Sequence, residues 1–293
     1  MPSNGHRFRV VEKQIPDVLC HDDGALGIVK VQMPEQCDDN GMFFRIRDRE
    51  RERNLRIIRN TIAAFGNWAQ QVNAPAIILF PELSVSAEAA DELRTEMATA
   101  RITPNTLIVL GMEHLRRDHF ICRASDSHSR ADFAGTDFGP NIDRVNTAVI
   151  LAKDKAGNVS CYYQPKCSRS DYESPRQFTS NIIYKFAFGQ HHFIVNICSD
   201  FFLQAGAMPL VGSVGRTTMR CISTGVSGVA RHIAEMINVS RNHLNTGITA
   251  FAPGGRSGSG CGFVGGISVG SKLREPFGFM ADLIVKTPLS AKR

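Results

Sequence analysis

The chain has 293 residues, of which 43% are apolar and 21% charged. That balance supports a core of ordinary size, excludes wholesale disorder, and contains no run of about 18 apolar residues that could span a membrane as a helix. The net charge of +6 is mildly basic and leaves an anionic partner open.

Residues 1–11 are polar and carry His6, Arg7 and Arg9, so they do not read as a secretory signal, and a cytoplasmic protein is expected. The eight cysteines then belong to a reducing compartment, where a disulfide framework is not expected. No Cys-x-x-Cys pair occurs, which argues against the commoner zinc modules.

The first buried strand is expected at LGIVKVQM (26–33). An arginine-dense stretch from residue 44 runs into a helix. On it Leu55, Ile58, Ile62, Phe65 and Ala69 recur at three- and four-residue steps, until Ala74-Pro75 ends it. AIILF (76–80) reads as a central strand covered on both faces. A helix follows over 87–99 with Ser86 as its cap, and then the strand TLIVLGM (106–112). Residues 123–143 are polar and aperiodic and are expected to form an exposed loop. Strands at 145–151 and 159–164 flank the turn KDKAGN, and a second pair at 184–188 and 193–197 flanks Gly189-Gln190. A helix over 229–242 and late strands at 247–251, 266–269 and 281–285 complete the pattern. Helices between early strands and hairpins in the middle make an α/β (layered α+β) domain with mixed sheets. One domain is expected over 1–293, with its core at about 25–288.

Three polar residues end apolar runs. Glu82 follows IILF in FPEL, Lys166 closes YYQPK, and Cys198 closes IVNIC. The C-terminal ends of strands are where α/β sheets form ligand crevices. A thiol is the strongest side-chain nucleophile once ionised, a carboxylate can take its proton, and an ammonium can hold an oxyanion.

FPELSVS (80–86), YYQPK (162–166) and IVNICSD (194–200) together resemble, in order and spacing, the three catalytic signatures of the nitrilase superfamily, the carbon–nitrogen hydrolases. LGIVKVQM, the Asn146-Thr147-Ala148 stretch and the helix over 230–243 fit the same resemblance. It implies a four-layer αββα sandwich and a Glu82–Lys166–Cys198 triad that cleaves an amide, carbamoyl or nitrile through a thioester. Lys166 and the backbone N–H of Ser199 would hold the oxyanion, and Glu173 would position substrate as the second glutamate. No cofactor and no metal would be required, and a homo-oligomer is expected. Asp200 matches the Cys-x-Asp pattern in a turn-fixing role. The Gly-, Ser- and Thr-rich stretch over 205–225 departs from the better-known branches.

Other signals read differently. Gly260-Cys261-Gly262-Phe263-Val264-Gly265 matches a dinucleotide fingerprint but lacks the strand–helix frame, so it reads as a glycine-dense turn. His191-His192 would point to opposite faces of a strand, and no third metal ligand is evident. Arg45, Arg47, Arg49, Arg51 and Arg53 alternate with acidic residues. They read as a solvated helix start or subunit edge, with phosphate or nucleic-acid contact as the alternative. Two other functions remain open: a non-catalytic interaction module on the same fold, and an acyltransferase using the same triad.

Overall fold

A computed structural model describes residues 8–15, 27–31, 37–39, 43–72, 75–99, 102–169, 173–188, 191–197, 200, 218–224, 247–253, 268–269, 273–274, 280–283 and 285–286. Along the chain, strands β1 (Arg9–Ile15), β2 (Gly27–Val31), β3 (Cys37–Asp39) and β4 (Phe44–Ile46) precede helix α1 (Asp48–Val72). Then come β5 (Ala76–Leu79), α2 (Ala87–Met97), β6 (Thr106–Gly111), β7 (Leu115–Arg116), α3 (Arg117–Ser125) and α4 (Arg130–Phe133). The middle of the chain forms β8 (Arg144–Val145), β9 (Thr147–Lys153), β10 (Val159–Pro165), β11 (Gln177–Phe178), β12 (Ile182–Phe188) and β13 (His191–Ile197). The last strands are β14 (Thr218–Thr224), β15 (Gly247–Pro253), β16 (Ser268–Val269), β17 (Leu273–Arg274), β18 (Met280–Leu283) and β19 (Val285–Lys286).

Among the described residues two large mixed sheets form, beside a three-stranded sheet β11-β8-β7 and the pairs β16-β19 and β3-β4. The seven-stranded sheet has the order β10-β9-β6-β5-β2-β18-β17, and the five-stranded sheet the order β1-β12-β13-β14-β15. In the first, β2, β5 and β6 run parallel while β9 and β10 return antiparallel. All four residues of β5 are at most 2% exposed, as expected of a parallel strand covered on both faces. The two sheets face each other: the ring of Tyr162 on β10 stands 5.2 Å from Phe186 and 6.3 Å from Tyr184, both on β12. Gln164 also crosses between them, accepting from the Tyr184 N–H and donating to the Ile182 carbonyl, each at 2.9 Å. Helices α1 and α2 pack on the outer face of the seven-stranded sheet. The architecture is an α/β sandwich. The helix expected over 229–242, which would cover the other sheet, lies outside the described residues, as does the 260–265 turn.

Local chemistry explains most element ends. In α1, Leu55, Ile58, Ile62 and Phe65 are buried, and Asp48 and Glu50 sit in the first turn, where the helix dipole favours acid. The helix begins at Asp48, and Phe44–Ile46 is a strand instead of helix. Three tertiary bonds hold it extended: Ile46 N–H to the Glu113 carboxylate at 3.0 Å, Phe44 N–H to His114 Nδ1 at 3.4 Å, and His114 N–H to the Phe44 carbonyl at 2.9 Å. In α2 the Ser86 hydroxyl accepts from the Ala89 N–H at 3.2 Å, the expected cap.

Two expectations are corrected. Residues 123–143 are not an irregular loop; they contain the end of α3 and all of α4, seated by buried Phe120, Ala124 and Phe133. Elements this short bury one or two side chains each, too few to show a period. The polar N-terminal stretch also leads into a strand. β1 pairs in parallel with β12, and Glu12 lies opposite Lys185 and accepts from it at 2.9 Å. An edge strand bearing charges shows no clean alternation. The five arginines of the 45–53 run each have a carboxylate within 4 Å. Arg45 meets Glu113, Arg47 meets Asp38, and Arg49 and Arg53 meet Glu50, while Arg51 reaches Asp48, Glu88 and Glu113. No helix among the described residues is long and apolar enough to cross a membrane.

Candidate active site

The seven-stranded sheet delivers its polar residues at strand ends. Glu82 follows β5 in a tight turn in which Leu83 takes φ 59°, a left-handed conformation rarely adopted by a leucine. Three donors fix this turn on the carbonyl of Gly111: Ser84 N–H at 2.8 Å, Val85 N–H at 3.2 Å and the Ser84 hydroxyl at 3.0 Å. Lys166 follows β10, with its N–H on the Asn146 carbonyl at 2.8 Å and its own carbonyl accepting from Ser180 at 2.9 Å. Both side chains are therefore aimed from backbone that is pinned on each side.

They converge in a buried polar cluster. Lys166 Nζ lies 2.8 Å from one oxygen of Glu173 and 3.7 Å from Glu82. The side-chain amide of Asn146 donates to Glu82 Oε1 at 2.5 Å and to Glu173 Oε1 at 2.8 Å, so one NH2 group spans both carboxylates. Gln177 adds a third donor to Glu173 at 2.9 Å. His114 stands behind, with Nε2 3.9 Å from Glu173. Because His114 Nδ1 accepts from Phe44, the neutral ring carries its proton on Nε2, facing the carboxylate. Lys166, Asn146, Glu173 and His114 are all buried, and Glu82 is only 8% exposed.

Burial pushes the Glu82 carboxyl above its ordinary range. The Lys166 ammonium opposes that rise and the Glu173 charge adds to it. A carboxylate of raised basicity beside an ammonium is suited to accepting a proton near neutral pH. Among the described residues, no three His, Cys, Asp or Glu side chains converge as metal ligands do.

The five-stranded sheet approaches through β13, which ends at Ile197. Cys198 and Ser199 themselves lie outside the described residues. Asp200 is fully buried, and its carboxylate accepts from Cys167 N–H at 2.9 Å, Ser168 N–H at 2.7 Å, Ser168 hydroxyl at 2.8 Å and Ile197 N–H at 3.2 Å. It thereby binds the end of β13 to the two residues after Lys166. Burial pushes its carboxyl up to about 6, against the pull of Lys166 and of these hydrogen bonds. Burial pushes Cys161 up to about 11, which keeps it a thiol. Cys167 is buried, with its Sγ 3.4 Å from the Ile182 carbonyl, and Cys122 is exposed.

No protein-family model and no curated protein sequence matches this chain. Solved structures do. A variant of the amidase from Nesterenkonia sp. AN1 in complex with acrylamide superposes with a TM-score of 0.53 at 17% identity, over 93% of this chain and 94% of that one. A second variant, with the acetamide moiety of fluoroacetamide added covalently at its active-site cysteine, gives 0.52 at 18% identity, over 92% and 93%. A third, described as a Nesterenkonia AN1 amidase from the nitrilase superfamily, gives 0.51 at 17% identity, over 94% and 93%. The fold is that of the nitrilase superfamily.

Within this nitrilase fold the structure brings Glu82, Lys166 and Glu173 together, and places the residue preceding Cys198 against the same corner through Asp200. Glu173, seven residues after Lys166, is in direct ion-pair contact with it. Three members of the cluster were not singled out by sequence reasoning: Asn146, His114 and Gln177. Asn146 was legible only as part of a flanking stretch, immediately before β9 begins at Thr147. Nothing in a sequence marks a histidine or glutamine that is about to be buried beside a carboxylate.

Proposed function

We propose that this chain hydrolyses a non-peptide carbon–nitrogen bond, in an amide, carbamoyl or nitrile group, with Cys198 as nucleophile, Glu82 as proton carrier and Lys166 as the oxyanion holder. The observation that carries this reading is the buried Glu82–Lys166–Glu173 cluster at the strand ends where β13 leads directly into Cys198. The comparison amidases support it, since in one of them the active-site cysteine carries a covalently added acetamide moiety, which shows that thiol to be nucleophilic.

For an amide the steps balance as follows. Glu82 takes the Cys198 thiol proton as sulfur bonds to the carbonyl carbon. The oxyanion is held by the Lys166 ammonium and by the Ser199 N–H. Glu82 returns the proton to nitrogen, the C–N bond breaks, and ammonia or an amine leaves a thioester. Water then gives a proton to Glu82 and its oxygen to the acyl carbon, and the thiol is restored as the acid departs. Glu173 and Asn146 hold Lys166 and Glu82 in place.

The test is intact-protein mass spectrometry after exposure to small amides and nitriles. A Glu82→Gln variant that retains an acyl adduct located at Cys198, together with loss of turnover in Cys198→Ala, supports the assignment. Unchanged turnover in Cys198→Ala eliminates it.

A further inference from the structure

The short strands β7 and β8 run antiparallel, and Arg116 on one lies directly opposite Arg144 on the other. Like charges directly opposite on paired strands repel. Asp143 answers Arg144 at 3.3 Å, but it also binds Arg176 at 2.8 Å. Arg117, the first residue of α3, reaches only the Gly139 carbonyl, at 3.4 Å. Among the described residues neither Arg116 nor Arg117 has a carboxylate partner. These three arginines line a cavity of about 560 Å3 together with Phe43, Asp118 and Asp143.

The cavity adjoins the candidate active site. The Arg144 guanidinium stacks 5.3 Å from the Phe43 ring, the Phe43 ring stands 6.1 Å from that of His114, and His114 faces Glu173. Along the chain Arg116 comes two residues after His114, and Arg144 two before Asn146. A two-residue step of extended chain spans about 7 Å, so the backbone of Arg116 lies that far from His114, and that of Arg144 that far from Asn146.

We infer that this cavity receives an anionic group, carboxylate or phosphate, on the acyl side of the substrate while the scissile carbon reaches Lys166 and Cys198. This rests on the hydrolase reading and specifies its substrate class as short anionic amides. Guanidinium groups are planar, bidentate donors to an oxyanion, and an anion in a cavity lined by both Arg116 and Arg144 offsets the repulsion between these paired residues. A neutral amide does neither. The +6 charge of the chain adds long-range attraction of the same sign.

The experiment measures ammonia release from succinamic acid, its neutral methyl ester and 3-phosphonopropionamide. The two anions are expected to show the lower KM, and whichever of them is favoured names the preferred group. Arg116→Ala and Arg116→Glu alter an exposed side chain, so folding is retained. Each is expected to raise KM for the anions by about 10- to 100-fold, the range for losing a hydrogen bond to a charged group, with kcat and the ester's KM little changed. Arg130→Ala, an exposed arginine away from the cavity, is the control. Equal KM for ester and anions in the unaltered protein, or an anion KM unmoved by Arg116→Glu, overturns the anion site and leaves the hydrolase reading standing. If no amide is turned over and none acylates Cys198, the hydrolase reading falls. The cavity is then judged by calorimetry with succinamic acid: binding abolished by Arg116→Glu upholds it, and absence of binding overturns it.

Discussion

Gly111 and Glu82 are in contact so close that a side chain on the first would displace the second. A Cβ built on Gly111 collides with the Glu82 Cα and lies 2.5 Å from the Pro81 carbonyl oxygen and 2.8 Å from the Glu82 N. The glycine is required by proximity, and it lets the β6 terminus pass beneath the turn that aims the carboxylate.

Gly111→Ala is therefore expected to lower kcat by about 100-fold, the scale set by a displacement on the order of 1 Å at a catalytic group. Stability should fall by only about 1–3 kcal/mol, as for overpacking elsewhere in a core. Kinetics and thermal unfolding on the same preparation check this. Unaltered kcat would show that the turn adjusts without moving Glu82.

Asn146 gives both of its N–H bonds to carboxylates, while its own Oδ1 is buried without a partner among the described residues. The bond to Glu82 favours the ionised form of that carboxyl. Removing it in Asn146→Ala raises Glu82 further above the ordinary range. The acidic limb of kcat/KM should then move to higher pH, because in the proposed mechanism Glu82 must be ionised to accept the thiol proton. At the optimum, kcat/KM should fall by about 10- to 100-fold. A fall with no movement of the limb would indicate a packing role only.

Among the described residues Lys166 is the one ammonium in contact with both Glu82 and Glu173. In Lys166→Met two buried carboxylates face each other without it, which is expected to destabilise the fold by about 3–5 kcal/mol. The Glu82 carboxyl, already raised by burial and now without the opposing ammonium, then binds its proton still more tightly when folded than when unfolded. Stability of the variant should accordingly rise as pH is lowered from about 7 to about 5, more steeply than in the unaltered protein. Denaturant unfolding at several pH values reads the slope directly.

Asp200 gives the clearest pH signature. Its carboxyl is about 6 when folded, against an ordinary value of 3.8, so the native state binds the proton more tightly. Its contribution makes stability fall by about 3 kcal/mol as pH rises from about 4 to about 6, and level off above. Asp200→Asn should remove that part of the slope. It should also weaken the bond to the Ile197 N–H, since an amide NH2 cannot accept from it. A slope unchanged from that of the unaltered protein would exclude Asp200 as its source.

Much of this organisation could be read from residue order. β5 and β6 are short continuous apolar runs, and Glu82 stands out because it ends one. Lys166 does so at the end of β10. The Ser86 cap and the apolar face of α1 follow from local rules. What escaped has physical causes. β1 is an edge strand whose pairing is satisfied by Lys185 opposite Glu12, a partner 173 residues away. Helices α3 and α4 hold themselves down by single aromatic anchors, Phe120 and Phe133, whose rings meet at 5.4 Å. Phe44–Ile46 is extended because Glu113 and His114 bind it, not because of its composition. Asn146, His114 and Gln177 acquire meaning only when the fold stacks them around Glu173.

The Asp200 carboxylate joins parts of the molecule that belong to different sheets. Ile197 ends a strand of the five-stranded sheet, and Cys167 and Ser168 follow a strand of the seven-stranded one. Any sliding of one sheet over the other must first break these bonds and draw the end of β13 away from the residues that follow Lys166. Heating should consequently end the proposed turnover before it melts the core, with amides of residues 167 and 168 exchanging with solvent ahead of those in β5 and β6.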